Sequence, residues 1–289
     1  MSQEPTDGTG TLYLVPTPIG DTRDITNRAI EVLIAADVIA CEDTRNTRTL
    51  LNALGIEHNG LLSYHEHNEQ SRTVQLLARL ESGADVAVVS DAGTPLVNDP
   101  GFRLVSAAID LGIPVRPLPG ANAPITALIG SGLPVHHFHY LGFLPRRGAA
   151  RRAALEAVRS GTATLLLFEA PHRIVEMLED VRTTFGERRV ALGRNLTRPD
   201  EEFLRGPISE VIAGLEALET VRGQFTVVIE GKPDSGDHGE EAAANELIAV
   251  LLRHGVDGRA IRDVVCDVTG LSRNRAYALI SAQRATTDD

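Results

Sequence analysis

The chain has 289 residues, with 43% hydrophobic and 23% charged. That is the balance of an ordinary globular protein, and at roughly 100–200 residues per domain it suggests two domains with a small appendage. Its longest apolar runs, such as 163–168 and 86–89, fall far short of the ~20 residues of a bilayer span, and its polar, acidic N-terminus has no signal-peptide pattern. The formal net charge of −11 argues against a simple electrostatic binder of nucleic acid, which carries a basic stripe.

In chain order, residues 1–10 read as a disordered tail. Residues 11–15 read as a strand, followed by a loop with Pro16, Pro18 and Gly20. Residues 24–36 carry Ile25, Ala29, Val32 and Leu33 on one helical face. Residues 38–41 are a short buried strand, and 44–54 a helix closed by Gly55. A strand at 61–64, a helix at 69–82 closed by Gly83, a strand at 85–90, a helix at 101–111 and a strand at 115–118 follow. This alternation predicts a mostly parallel sheet with helices on both faces. A second α/β unit begins near His139: helix 148–160, strand 164–169, helix 172–185, strand 190–195, helix 208–218, strand 224–230. Residues 232–240, with Pro233, Ser235, Gly236 and Gly239, read as a linker. Helices at 242–254, 257–269 and 272–283 come last, and Gly270-Leu271-Ser272 is placed like the turn of a helix-turn-helix. The expected plan is a tail (1–10), an N-terminal α/β domain (11–135), a second α/β domain (136–232), a linker (233–241) and a helical module (242–289).

Cys41 and Cys266 are the only cysteines. They give no disulfide framework, which points to a cytoplasmic protein. The charge is uneven: Arg146, Arg147, Arg151, Arg152 and Arg159 lie together with Glu156 as the only acid among them, and Arg273, Arg275 and Arg284 share an acid-free stretch. Such local basic faces hold phosphate or merely solvate helices.

The chain lacks G-x-G-x-x-G after its first strand, G-x-x-x-x-G-K-[ST] and G-x-S-x-G, so neither a dinucleotide fold, a nucleotide triphosphatase nor an ordinary α/β hydrolase is signalled. His65 and His67, or His136, His137 and His139, lack the further ligands a metal site needs, and no metal is expected. Five polar clusters fall where parallel sheets put their sites, after strands. They are Pro16-Thr17-Pro18-Ile19-Gly20, Cys41-Glu42-Asp43-Thr44-Arg45, residues 63–68, Ser90-Asp91-Ala92-Gly93-Thr94-Pro95, and Pro119-Gly120-Ala121-Asn122-Ala123. Singly, Asp43 or Thr44 is a helix cap and Asp91 with Gly93 a turn. Together they point to a ligand cleft lined by exposed backbone amides.

The runs LVPTPIG at 14–20, ACEDTR at 40–45, YHEHNE at 64–69 and SDAGTPLVNDPG at 90–101 resemble the ribosomal RNA small-subunit methyltransferase I family. So do Leu118-Pro119-Gly120, Gly142-Phe143-Leu144-Pro145, FEAPHR at 168–173, and Asn195-Leu196-Thr197 with Glu201-Glu202. The likeness covers nearly the whole chain from Leu12. It implies the tetrapyrrole-methylase type of fold: two α/β domains with an S-adenosylmethionine cleft between them, as a homodimer. The implied activity is 2′-O-methylation of a cytidine in the decoding region of 16S rRNA. Cofactor positions carried over by the resemblance are Pro16, Gly93, Thr94, Val97, Asn122, Ala123, Phe168, Glu169, Leu196 and Thr226. The chain departs from the family's Arg-Glu-Leu-Thr-Lys run, with Asn195 in place of the Glu and Arg198 in place of the Lys.

Methyl transfer from a sulfonium is an in-line displacement, to which alignment alone can contribute ~7–11 kcal/mol. A ribose hydroxyl is a weak nucleophile, so a proton acceptor helps by roughly 10²–10⁴-fold. Glu42, Asp43 and His65 are the candidates, unless Glu42 simply pairs with Arg45. Arg45 and Arg48 share a helix face suited to phosphate. With Asn68, Arg146, Arg147, Arg273 and Arg275 they make up the expected contacts to 16S rRNA or the small ribosomal subunit; no membrane partner is expected. Two other readings stand beside this one. A methylase of a tetrapyrrole or other small molecule has no use for the Glu42–Arg45 corner or a basic helical module. A non-catalytic ribosome-binding protein has no use for intact loops at Pro16, Gly93 and Gly120.

Overall fold

Four-residue runs of branched apolar side chains set the centre of the first sheet. Val38–Cys41 and Val86–Val89 are buried along their whole length, as strands covered on both faces must be. In the computed structural model, which describes residues 8–233 and 235–285, these runs are β2 and β4. They join β1 (Leu12–Val15), β3 (Leu61–Ser63) and β5 (Val115–Pro117) in a wholly parallel sheet of order β3-β2-β4-β1-β5. Helices α1 (Asn27–Ala35) and α2 (Thr44–Ala53) cover one face, where Leu33 and Leu51 meet Val15 and Ile39. Helices α3 (Glu69–Glu81) and α4 (Phe102–Asp110) cover the other, where Leu76, Leu80 and Leu104 meet Leu12 and Val88. Thr26 caps α1 by accepting from the Ala29 amide at 3.0 Å. The helix expected over 24–36 therefore starts at Asn27, after a separate 3₁₀ turn at Thr22–Asp24.

Helix α5 (Ala123–Ser131) was not foreseen. It follows β5 yet packs on the second sheet, where Ala127 and Leu128 meet Leu166, Ala191 and Val228. The first α/β region thus gives its last helix to the second. A Cβ on Gly130 would stand 2.5 Å from the Phe203 ring, so the helix approaches the sheet closely.

The second sheet has order β6-β7-β10-β8-β9, from β6 (Phe138–Phe143), β7 (Thr164–Glu169), β8 (Arg189–Arg194), β9 (Glu202–Pro207) and β10 (Phe225–Ile229). Only the β6–β7 pair is parallel. Both unforeseen strands, β6 and β9, lie at edges and are largely exposed or half-buried. Edge strands need no strong apolar pattern, and that hid them. Helices α6 (Gly148–Glu156), α7 (Ile174–Phe185) and α8 (Ile208–Glu216) share a core with the sheet, including Leu155, Met177, Leu178, Ile212 and Leu215. Arg151, fully buried in that layer, donates to Asp180 and Glu176, each at 2.7 Å.

Both sheets belong to one compact unit ending at Glu230, and a second unit starts at Gly231. Helices α9 (Ser235–Arg253), α10 (Gly258–Thr269) and α11 (Arg273–Ala285) form the second unit around Ala244, Ile248, Ile261, Val265, Leu271, Ala276 and Ile280. Gly270 ends α10 in the left-handed region. The α9 helix begins at Ser235, so most of the stretch expected as a linker is helical. The expected N-terminal tail lies mostly outside the described residues; within them, the Gly10 amide donates to Leu80 O at 2.8 Å, which ties that end of the stretch to α3. Among the described residues, no helix is long and apolar enough to cross a membrane.

Candidate active site

The loops after β1, β4 and β5 are joined by main-chain bonds. Thr17 and Gly93 exchange two backbone hydrogen bonds, each 2.9 Å. The Ser90 hydroxyl donates to Gly93 O at 2.8 Å, and the Thr17 hydroxyl to Ser90 O at 3.0 Å. The Thr94 hydroxyl donates to Ala121 O at 2.9 Å and accepts from the Asn122 amide group at 3.2 Å. At the far end of the 90–101 loop, the Gly101 amide donates to Glu69 at 3.0 Å. Leu96 and Asn98 lie at φ 71 and 70, a conformation that costs a side-chain-bearing residue on the order of 1–3 kcal/mol and persists where surroundings enforce it.

These loops and the ends of β7 and β10 enclose a cavity of about 510 Å³, within the usual size of a small-molecule site. Of the expected cofactor residues, Gly93, Thr94, Val97, Asn122, Ala123, Phe168, Glu169 and Thr226 line it. Pro16 and Leu196 do not. Pro16 is buried behind the wall, where a Cβ on Gly120 would stand 2.6 Å from its ring. Leu196 belongs to the core between α5 and the second sheet. Phe168 meets Tyr140 edge-on at 5.8 Å and Phe143 at 5.4 Å. Glu169 is buried; Oε1 accepts from the Ala170 amide at 2.8 Å, while Oε2 makes no hydrogen bond and stands 3.3 Å from an Arg173 nitrogen.

The residues expected at the lip are divided. Glu42 lines the cavity from an exposed position. Partial burial, and then the Asp91 carboxylate, push its pKa up. Asp43 does not line the cavity. It caps α2 through the Arg45 amide at 2.8 Å and pairs with the Arg45 side chain at 2.6 Å, which lowers its pKa to about 2. A carboxylate so strongly acidic is a poor proton acceptor near neutrality, and Arg45 pairs with Asp43 rather than with Glu42. His65 is also outside the lining, beside Asn68 with 3.2 Å between side-chain nitrogens. Asn68 accepts from the His65 amide at 2.9 Å and donates to Ser63 O at 3.1 Å, so its side chain holds the β3–α3 loop. Arg48, Arg146 and Arg147 are exposed, as are Arg273 and Arg275 in the helical unit. Among the described residues no His, Cys, Asp or Glu group is arranged to hold a metal.

Among the lining residues, Asp91 belongs to a cluster expected at the cleft and Phe143 to a run quoted for the family likeness, but neither they nor Asp99 and Gln224 were given a site role from the sequence. Asp99 lies inside the quoted 90–101 run, but an aspartate before proline reads as a turn residue. Burial, then Glu42, then Asp91 push its pKa up to about 7. The departure at Asn195 and Arg198 has a local reason. Asn195 sits at φ 51, donates to Asp200 at 2.7 Å and accepts from the Gln224 amide at 2.9 Å. A glutamate could not donate to Asp200. Arg198 reaches the Gln224 side chain at 3.1 Å, so both residues hold the Gly223–Gln224 stretch of the cavity wall.

The tetrapyrrole (corrin/porphyrin) methylase family matches residues 11–212. The ribosomal RNA small subunit methyltransferase I of Micromonospora olivasterospora is 60% identical over 270 residues, covering 93% of this chain and 86% of that protein. The protein of that name from Escherichia coli O157:H7 is 42% identical over 271 residues, 93% of each chain. Among solved structures, uroporphyrin-III C-methyl transferase from Thermus thermophilus, complexed with S-adenyl homocysteine, aligns with a TM-score of 0.53 at 20% identity, over 76% of this chain and 97% of that one. Diphthine synthase aligns with a TM-score of 0.58 at 16% identity, over 77% and 90%. At such identities these two structures speak for the fold alone. The extended match to the named relatives goes further: the chain belongs to the ribosomal RNA small subunit methyltransferase I family, within the tetrapyrrole methylases.

Proposed function

We propose that this protein transfers a methyl group from S-adenosylmethionine to the 2′-hydroxyl of a cytidine in the decoding region of 16S rRNA, acting in the cytoplasm as a homodimer. The observation that carries the reading is the cavity of about 510 Å³ walled by the 90–101 loop, in a chain 60% identical over 270 residues to a ribosomal RNA small subunit methyltransferase I. The residues present fit the cofactor. Phe168 and Phe143 offer aromatic area, Thr94 and Asn122 offer polar groups, and Glu169 Oε2, which faces Arg173 without a hydrogen bond, suits a donor on the ligand. Glu42, Asp91 and Asp99, none of them in a salt bridge among the described residues, suit a positively charged molecule. Pro16 and Leu196 support this wall from behind.

When bound, S-adenosylmethionine supplies a methyl group on a cationic sulfur. The chain's part is to align a hydroxyl with it and exclude competing water, which is where most of the acceleration arises. Exposed Arg48, Arg146 and Arg147, with Arg273 and Arg275 of the helical unit, contact RNA phosphate in this reading. Incubation with methyl-labelled S-adenosylmethionine and small ribosomal subunits tests it. Label is expected on a cytidine ribose of 16S rRNA. Label only on added uroporphyrinogen would favour the small-molecule methylase, and cofactor binding without transfer a non-catalytic protein. Light scattering giving twice the 31.0 kDa chain mass is expected; a monomer at micromolar concentration removes the dimer.

A further inference from the structure

Three carboxylates meet at one end of the cavity, each from a different position: Glu42 after β2, and Asp91 and Asp99 at opposite ends of the 90–101 loop. Their surroundings separate their tasks. Asp91 is already engaged: Oδ1 accepts from the Asp43 amide at 3.1 Å and Oδ2 from the Asn46 side chain at 2.8 Å. Glu42 is exposed on the rim. Asp99 is set deeper and joins no salt bridge among the described residues; the Ser90 hydroxyl is its hydrogen-bonding neighbour, and that hydroxyl also serves Gly93 O. From the second sheet, the Tyr140 hydroxyl is buried without a hydrogen-bond partner and feels the charge of Asp99. Asp99 thus offers an available acceptor to the cavity, and the unused Tyr140 hydroxyl, although outside the lining, lies close enough to feel its charge. The loop holding Asp99 is anchored at Gly93 and at Gly101, so its carboxylate is fixed by main chain and not by a side-chain partner that would neutralise it.

We propose, resting on the methyl-transfer reading above, that Asp99 accepts the proton of the hydroxyl that is methylated. As the new oxygen–carbon bond forms, the hydroxyl proton passes to the Asp99 carboxylate. The carbon–sulfur bond breaks with its electron pair left on sulfur, so carboxylate and sulfonium charges cancel, and Asp99 later returns its proton to water. The groups that face Asp99 are Glu42, Asp91, Tyr140 and Ser90. Burial and two like charges hold its pKa near the operating pH, where a general base is most effective. The acceptor is ionised above that value, so the transfer rate rises with pH through about 7.

The test uses the full chain and Asp99→Asn, with Asp99→Glu as the conservative variant. In the protein without cofactor, infrared difference spectra should show a carboxylic acid band that titrates near neutrality and is absent from Asp99→Asn. Under single turnover on small ribosomal subunits, Asp99→Asn should lose ~10²–10⁴-fold in rate and lose the rising limb of the pH profile. Asp99→Glu should regain part of both. S-adenosylhomocysteine, which lacks the sulfonium charge, should still bind Asp99→Asn by calorimetry, which separates a lost proton acceptor from a lost cavity. A wild-type rate and an unchanged limb in Asp99→Asn, or no titrating band in the wild type, overturns the assignment. Absence of ribose methylation by the wild type would instead overturn the reading it rests on, while the infrared titration still reports on Asp99.

Discussion

The two walls of the cavity are built on different principles. The first-sheet wall is a set of loops tied by main-chain bonds, with Thr17 against Gly93 and Gly101 against Glu69. It carries Glu42, Asp91 and Asp99, none of which is ion-paired among the described residues. The second-sheet wall is formed by the ends of β6, β7 and β10, which present Phe143, Phe168 and Phe225, with Glu169 as its buried acid. A wall held by backbone can keep like charges close and leave their side chains to do chemistry. A wall of paired strand ends lined by aromatic rings offers contact area and shape. The comparison assigns the pH-dependent step to the first wall and much of the affinity to the second.

Filling the cavity should have the largest effect. Thr94→Arg or Ala123→Trp puts a large side chain among residues that line the cavity. Each should weaken S-adenosylhomocysteine binding by on the order of a hundredfold or more, about 2.7 kcal/mol. Calorimetry giving wild-type affinity in both would remove the cavity from the cofactor's path.

How far the sequence foretold these walls follows from the same contrast. Strand cores such as Val38–Cys41 and Val86–Val89 show themselves as apolar runs, and the five loop clusters fall after strands as parallel sheets require. Eight expected cofactor positions line the cavity, and that expectation came from family likeness rather than periodicity. What stayed hidden depends on tertiary context. Edge strands β6 and β9 lack a buried face to pattern them. Helix α5 is apolar and short, and nothing local tells that it packs on the following sheet. Asp99 looks like a turn residue until burial and two neighbouring carboxylates are known. Nothing in the sequence tells that Asp43, one of three candidate bases, pairs with Arg45 two residues on.

Among the described residues, every one that lines the cavity precedes Glu230. A chain ending at Lys232 should keep cofactor affinity, because the helical unit has its own core. Methylation of small subunits should fall by roughly tenfold at low salt, and the deficit against the full chain should shrink as salt rises, because the phosphate contacts of Arg273 and Arg275 that the shorter chain lacks weaken steeply with ionic strength. Full activity at every salt concentration would separate the helical unit from RNA.

Phe168→Ala sharpens the contrast between walls. It removes the ring that meets Tyr140 and Phe143, and such aromatic contacts contribute ~0.5–1.5 kcal/mol each. Cofactor affinity should drop roughly 3–10-fold, with the midpoint of the single-turnover pH profile unmoved. A moved midpoint would mean that the second wall also governs the titrating group.

The smallest expected change is a displacement of that midpoint, and it separates two adjacent acids. Glu42 and Asp43 differ in what they touch. Asp43 is held to about pKa 2 by the Arg45 side chain and amide, so it is ionised throughout the working range and contributes no titration there. Its stabilising bond to Arg45 persists above the ordinary carboxylate range and is lost only as pH falls toward 2. Asp43→Asn keeps a capping side chain on α2, so the pH midpoint should stay where it is. Glu42 acts on Asp99 directly: its negative charge disfavours a second charge nearby and keeps Asp99 protonated to higher pH. Glu42→Gln removes that repulsion, so the Asp99 pKa should fall and the rising limb should move toward acid pH, by about one unit or less at this exposed position. The chemical step at pH well above 7 should change less than the midpoint does. If Asp43→Asn moves the limb and Glu42→Gln does not, the helix cap rather than the cavity acid sets the titration, and the division of labour between these neighbours is reversed.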